Sequence, residues 1–283
     1  MTGTTVLRRR RLARALHAIG LCTVIVSVVA ACTSSAGKRA ASTPPPSRPP
    51  ATLSTSVPDL PATPPTTPAA LVAFMTAGLA ATGFVHLTFD TSLAGTSLSG
   101  TGSAVVAGAK VTGLDVRDAL SGIGAVRFVL TDGVAYVALP TPTKAGKPFA
   151  VIGGSAHDDR LNRAAIGLQA TQLLAAPGTY RTLVSAATNL ILAGRETIAG
   201  RPALHYRAPV QVDRMADADP VRIALTALAV PSVALDVWVD GAGRPLKASA
   251  PSPDGRTSHV IFDQINAPVR IARPPADQVD GAG

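Results

Sequence analysis

On either side of Asp132-Gly133 the chain reads as two short apolar strands, Gly124–Thr131 and Val134–Leu139. An Asp-Gly pair accepts positive φ at both central positions of a type I′ turn, whose twist matches that of the strands it joins. A two-residue turn also sets the register. Thr131 is expected to face Val134, Phe128 to pair with Val137 and Val126 with Leu139 on one side, and Val129 with Tyr136 on the other, which also carries Arg127. A one-residue slip would send every apolar side chain to the wrong face, so the wholly apolar side is read as inward.

The same grammar recurs along the chain. Phe84–Leu93, Thr96–Val106 and Lys110–Asp118 precede the hairpin; Leu190–Ile198 and Arg201–Pro209, joined by Ala199-Gly200, follow later, and then Val233–Asp240, Arg244–Ala250 and Thr257–Gln264 before an extended Pro-rich tail. Helical spacing interrupts the strands. Leu71, Phe74, Met75 and Leu79 form one stripe that Gly83 ends; Leu161, Ala164, Ala165, Leu168, Gln172 and Ala175 form another that Pro177-Gly178 ends. Thr179 is expected to cap a short helix carrying Tyr180, Leu183, Val184 and Ala187, and Asp219-Pro220 to open one through Ile223, Ala227 and Leu228. About ten strands in hairpin succession with interspersed helices predict an α+β fold. The expected form is one domain over residues 70–283, a curved antiparallel β-sheet or half-barrel with helices covering its concave face.

Residues 1–31 have the anatomy of a signal peptide: five arginines by residue 14, an uncharged apolar run from Ala15 to Ala31, and small residues at its end. Val29-Ala30-Ala31-Cys32 looks like a bacterial lipobox, in which Cys32 is the residue acylated before cleavage. Cys22 would leave with the signal, so the mature chain would have no free thiol and no disulfide. Residues 32–69 comprise that cysteine and a Pro/Ser/Thr-rich tether with no apolar period. In an extended conformation the tether would reach on the order of 100 Å from a bilayer. The expected location is the extracytoplasmic face of the cell membrane, held by lipid.

The formal charge of +9 belongs mostly to these leader segments, since from residue 70 onward 18 basic residues face 16 acidic ones. A nearly neutral domain with 4% aromatic residues lacks the clustered cations and stacking rings of a nucleic-acid groove, so no nucleic-acid partner is expected.

Motifs of catalysis and metal binding are missing from the sequence, and neither enzyme activity, a cofactor nor a metal is expected. Three groups carry side chains with chemical potential. Glu196 lies diagonally across the Ala199-Gly200 hairpin from His205, where a solvent-facing cross-strand pair outweighs acid–base work. His157-Asp158-Asp159 reads as a loop and helix start before it reads as a cation site, and Trp238 falls on the outward side of its strand.

Several segments together resemble the actinobacterial LppX/LprG-type lipoproteins (LppX, LprA, LprF, LprG), a LolA-like group. They are Gly194–Tyr206 with its Gly-x-Glu-x-Ile-x-Gly hairpin, Asp236–Asp240 with Gly243–Lys247, the close Asn266–Val269 through Pro274–Ala276, Asp132–Tyr136, and Gly146–Phe149. The resemblance covers roughly residues 70–280, with Phe149 where relatives often carry Trp. It implies a half-barrel whose helices close an apolar cavity, and binding or transfer of acylated lipids or glycolipids. On strand alternation the cavity-lining residues would be Val85, Leu87, Phe89, Val126, Phe128, Leu130, Val137, Leu139, Leu204, Tyr206, Val237 and Val239. Expected partners are an acylated lipid or glycolipid, the membrane through lipidated Cys32, and a membrane transporter, with the protein itself a monomer. The competing expectation is an envelope assembly or interaction lipoprotein with a filled core and no lipid ligand.

Overall fold

The computed structural model describes residues 56–93, 96–156, 158–252 and 255–281. The signal peptide, Cys32, the tether as far as residue 55, and His157 lie outside the described residues. Twelve strands form one open sheet: β1 Phe84–Leu93, β2 Thr96–Ala107, β3 Lys110–Leu120, β4 Gly124–Thr131, β5 Val134–Ala138, β6 Phe149–Val151, β7 Ile191–Ile198, β8 Arg201–Gln211, β9 Ser232–Val239, β10 Pro245–Pro251, β11 Thr257–Asp263 and β12 Val279–Asp280. Among the described residues four α-helices accompany them: α1 Pro68–Ala80, α2 Asp159–Ala175, α3 Pro177–Ser185 and α4 Pro220–Ala227.

Across the sheet the order is β12-β6-β5-β4-β3-β2-β1-β11-β10-β9-β8-β7. Two meanders are therefore laid side by side, β6 to β1 and β11 to β7, and joined where β1 pairs antiparallel with β11. The hairpin register is the expected one, with Thr131 opposite Val134, Phe128 opposite Val137 and Val129 opposite Tyr136. Asp132 and Gly133 both take positive φ, as the type I′ turn requires.

One face of the sheet packs under the helices. Leu71 and Met75 of α1, Ala164 and Leu168 of α2, and Tyr180, Leu183 and Val184 of α3 join a single core with the inward residues of β1 to β5 and β8 to β11. The helices approach closely because they carry glycine at the contacts. At Gly78 of α1 a Cβ would lie 2.5 Å from the Ala242 carbonyl oxygen in the β9–β10 turn, so only hydrogen fits there. Helix caps follow the sequence: Asp158 caps α2 and Asp219 caps α4, each accepting a backbone N–H. Helix α1 opens at Pro68, ahead of residue 70, and Leu60 already packs against the core.

Several expectations need correction. The sheet has twelve strands because two very short ones, β6 and β12, pair in parallel at its edge, and neither is long enough to show an alternating pattern. Pro177 ends α2 but also begins α3, whose N-cap is Ala176; Thr179 instead donates its hydroxyl to the Leu173 carbonyl at 2.7 Å. Leu139 lies just beyond β5. The face bearing Val129 and Tyr136 is also buried, in a second small cluster with Phe149 and Val279, because the C-terminal tail returns across it. On that route Ile271 approaches Gly113, and Arg273 lies over the Tyr136 ring at 5.7 Å.

Candidate functional site

The ladder registers define a continuous row of residues across the inner face. Tyr206 faces Val237, Val237 faces Ala248, Ala248 faces Val260 and Val260 faces Phe89 across the seam; Phe89 then faces Gly100, Gly100 faces Asp118 and Asp118 faces Val126. The middle of this row is apolar and contains two small residues. The Phe89 ring covers Gly100, where a Cβ would come within 2.7 Å of the ring. The polar groups stand toward the two ends. Both the Tyr206 hydroxyl and Asp118 Oδ1 are buried without a hydrogen-bond partner.

Of the twelve residues expected to line a cavity, eleven are buried on this face, and Leu130 is half-buried against the same core. Leu87, Phe128, Val137, Leu204, Tyr206, Val237 and Val239 are at 0% exposure. These residues lie packed together with helix side chains.

Asp118 was not among the expected site residues. Its position in the run Leu114, Val116, Asp118, Leu120 puts it on the apolar side of β3, and the period of two could have flagged it. It is 3% exposed, and burial pushes its carboxyl up to about 6, outweighing the hydrogen bond with Thr171. Thr171 Oγ1 lies 2.8 Å from the Gly167 carbonyl and 3.0 Å from Asp118 Oδ2. A hydroxyl has one hydrogen for these two acceptors. A protonated Asp118 removes the shortage by donating to Thr171 while Thr171 donates within α2. Burial likewise pushes the Tyr206 phenol up to about 12.

The outer face carries the cluster around Glu196 and His205. Both residues are in contact, as the hairpin predicts, but His205 is 7% exposed and far from solvent-facing. Its Nδ1 is 2.8 Å from Glu196 Oε1 and its Nε2 is 2.6 Å from Asp236 Oδ1. The imidazole is thus held between two carboxylates, one at each ring nitrogen. The imidazole stacks on Trp238 at 4.1 Å, Trp238 Nε1 donates to Glu196 Oε2 at 2.9 Å, and the Lys247 ammonium sits 4.4 Å from the indole centroid. The Trp238 hydrogen bond, followed by His205, holds the Glu196 carboxyl below its ordinary value. Both imidazole nitrogens, both Glu196 oxygens and the indole N–H are engaged within this group, an arrangement that stitches β7 to β10 together. Trp238 lies outward, as expected from its strand.

One further charged group escaped the sequence reading. Asp240, at 0% exposure, accepts from both Nε and the terminal nitrogen of Arg244 at 2.8 Å, and from Arg201 at 3.4 Å. Burial, and then the neighbouring Arg244, lower the Arg201 guanidinium below its usual value. At the start of α2, Asp158 caps the helix and pairs with Arg160 at 2.6 Å, which is the structural reading of the Asp158-Asp159 motif. Among the described residues no group of three His, Cys, Asp or Glu side chains could hold a metal ion.

Two clefts open on the outer face of the first meander. One, of about 780 Å³, crosses β1 to β5 and β11 and includes Thr88, Ser99, Arg117, Ala119, Ala125 and Arg127. The other, of about 290 Å³, shares Thr101, Arg117 and Arg127 with it and is closed on one side by Val269–Ile271 of the tail. No helix among the described residues is long and apolar enough to cross a membrane.

No protein-family model matches the sequence, and no curated protein matches it. Solved structures similar to this chain include the lipoprotein LppX of Mycobacterium tuberculosis, at 16% identity and a TM-score of 0.47, covering 72% of this chain and 99% of that one. LprF from Mycobacterium bovis is similar at 12% identity and a TM-score of 0.48, covering 74% of this chain and 99% of that one. MucB in complex with MucA(peri) is similar at 16% identity and a TM-score of 0.31, covering 74% of this chain and 58% of that one. LppX and LprF are proteins of the type that the sequence resembles.

Proposed function

We propose that this chain is a cell-envelope lipoprotein, anchored through Cys32, that binds and transfers acylated lipids or glycolipids on the helix-covered face of its sheet. The observation that supports this reading is the inner row from Tyr206 to Val126. It offers an apolar track with two small residues in it and an unsatisfied polar atom toward each end. A track of this kind suits an acyl chain with a hydrogen-bonding head. The energetics suit a carrier as well, since burying each CH₂ gains about 0.8 kcal/mol both in the protein and in the bilayer. Exchange between the two is then nearly balanced, and contacts to the head set its direction. The ligand reaches the row by displacing the helices packed on it.

The depth of burial on that face favours a second reading, an envelope interaction lipoprotein with a filled core. Seven of the twelve expected lining residues are at 0% exposure. Native mass spectrometry of the protein secreted by an actinobacterial host, combined with organic extraction, separates the two readings. The carrier reading expects a lipid of defined mass that is released by solvent and exchanged between vesicles in vitro. Protein that carries no lipid and exchanges none supports the filled core and removes the carrier.

A further inference from the structure

The outer face of the first meander contains an unusual pair. Arg117 on β3 stands directly opposite Arg127 on β4. Like charges in this position repel, and sheets ordinarily avoid them. The one carboxylate at hand is taken: Asp115 binds Arg127 in a two-pronged contact, with Oδ1 2.8 Å from Nε and Oδ2 2.7 Å from a terminal nitrogen. Arg117 is exposed and, among the described residues, makes no hydrogen bond or ion pair; the same holds for Arg270 of the tail, at the mouth of the smaller cleft. The two opposed arginines form the ridge between the two clefts, since both clefts include them.

On one side of that ridge the larger cleft is floored by small residues. Ala119, Ala125 and Ala138 leave room that longer side chains would fill, and the volume of about 780 Å³ lies in the range of small-molecule sites. The outward-facing acid of this cleft, Asp90, stands on the β1 side, opposite His259 of β11, while Asp118 is turned to the inner face. The cleft thus combines an uncompensated guanidinium, a second one directly across the ladder, and an apolar floor beside them.

We propose that this cleft is a binding site for a single-chain amphiphile with an oxyanion head, such as a long-chain carboxylate. The head bridges Arg117 and Arg127, whose planar donors match an oxyanion, and the chain lies along Ala119, Ala125 and Ala138. Its outward side chains, Arg117, Ala119, Ala125, Arg127 and Ala138, lie on the face opposite the helix-covered row, whose Phe89, Gly100, Asp118 and Val126 also border the cleft.

The test is photolabelling of the full chain in zwitterionic vesicles, using a long-chain fatty acid with a diazirine at its far end and mapping to single residues by mass spectrometry. A second arm uses the alcohol of equal length, and a third adds excess acetate to the acid probe. The acid is expected to label outward residues of β3, β4 and β5, with labelling at least tenfold lower for the alcohol and unchanged by acetate. Arg117→Ala, whose side chain has no partner to lose, and Ala119→Glu, which adds an opposing charge, should each abolish the label while leaving Trp238 fluorescence as it is. Equal labelling by acid and alcohol, displacement by acetate, or full labelling of Arg117→Ala overturns the assignment. Labelling confined to inner-face residues overturns it too, while leaving the lipid reading of the helix-covered face intact.

Discussion

Replacing Asp118 by Asn tests whether the inner face carries a neutral carboxyl. Burial raises the group from 3.8 to about 6 in the folded chain. At 1.36 kcal/mol per pH unit this difference corresponds to about 3 kcal/mol. The sign follows from which state holds the proton more tightly. A raised folded value means that, between about pH 4 and 6, the unfolded chain releases its proton first, so stability falls as pH rises through that window. Above pH 6 both states are ionised and the whole penalty is present. Asn has nearly the same shape, stays neutral throughout, and offers an amide near Thr171. Urea unfolding, followed by the fluorescence of the single tryptophan, should show Asp118→Asn matching the parent near pH 4. At pH 7.5 the variant should exceed it by about 3 kcal/mol. Taking the difference between the two proteins cancels groups of opposite sign, such as Glu196. A gap of constant size from pH 4 to 7.5, or no gap at all, would refute the argument that burial dominates at this carboxyl.

Other outcomes follow from the packing and charge groups. Gly78→Ala forces α1 off the β9–β10 turn and should lower stability by about 1–3 kcal/mol in a thermal melt. Asp240→Asn leaves Arg201 and Arg244 buried without their carboxylate, and a loss of about 3–5 kcal/mol in denaturant is expected. His205→Ala removes the imidazole between Glu196 and Asp236 and its stack on Trp238; stability should fall by about 2 kcal/mol at neutral pH. The indole emission should shift as the ring gains solvent. Because the Glu196 carboxyl is held low, its contribution is present above its unfolded value and lost as pH falls through the folded one. Trp238→Phe, which removes the leading cause of that depression, should therefore weaken the acid-side loss, as read by urea midpoints between pH 5 and 3.

Local chemistry explains why much of the architecture was legible. Asp132-Gly133 specified a turn that in turn specified which residues face each other, and Asp219-Pro220 specified a helix start, because each depends only on neighbours in the chain. Thr179 misled for the same reason: a Thr after Pro-Gly has cap chemistry, but the Leu173 carbonyl of the preceding helix competes for its hydroxyl. Strand β12 and the burial of Tyr136 were illegible because they depend on where the tail goes after β11, and two residues carry no period. The inner face could be assigned by alternation, residue by residue. The row from Tyr206 to Asp118 could not, because it exists only once β1 has found β11. Likewise Glu196 and His205 were seen as a pair, whereas their burial rests on Asp236 and Trp238, brought in by the next strand over.

That meeting of β1 and β11 gives the molecule a line of weakness of a particular kind. Ten of the eleven ladders bind strands of the same meander or anchor its edge, so each half can hold its own hydrogen bonds without the other. The remaining one joins residues as far apart as His86 and Asp263, 177 positions along the chain. Parting there would yield two intact half-sheets and would break the inner row between Val260 and Phe89, its apolar centre. The C-terminal tail leaves β11 on one side of this line and ends against β6 on the other, with Asn266 bonded to Gly83 next to β1. It lies like a cord over a book's spine: the two covers cannot come apart until the cord is lifted.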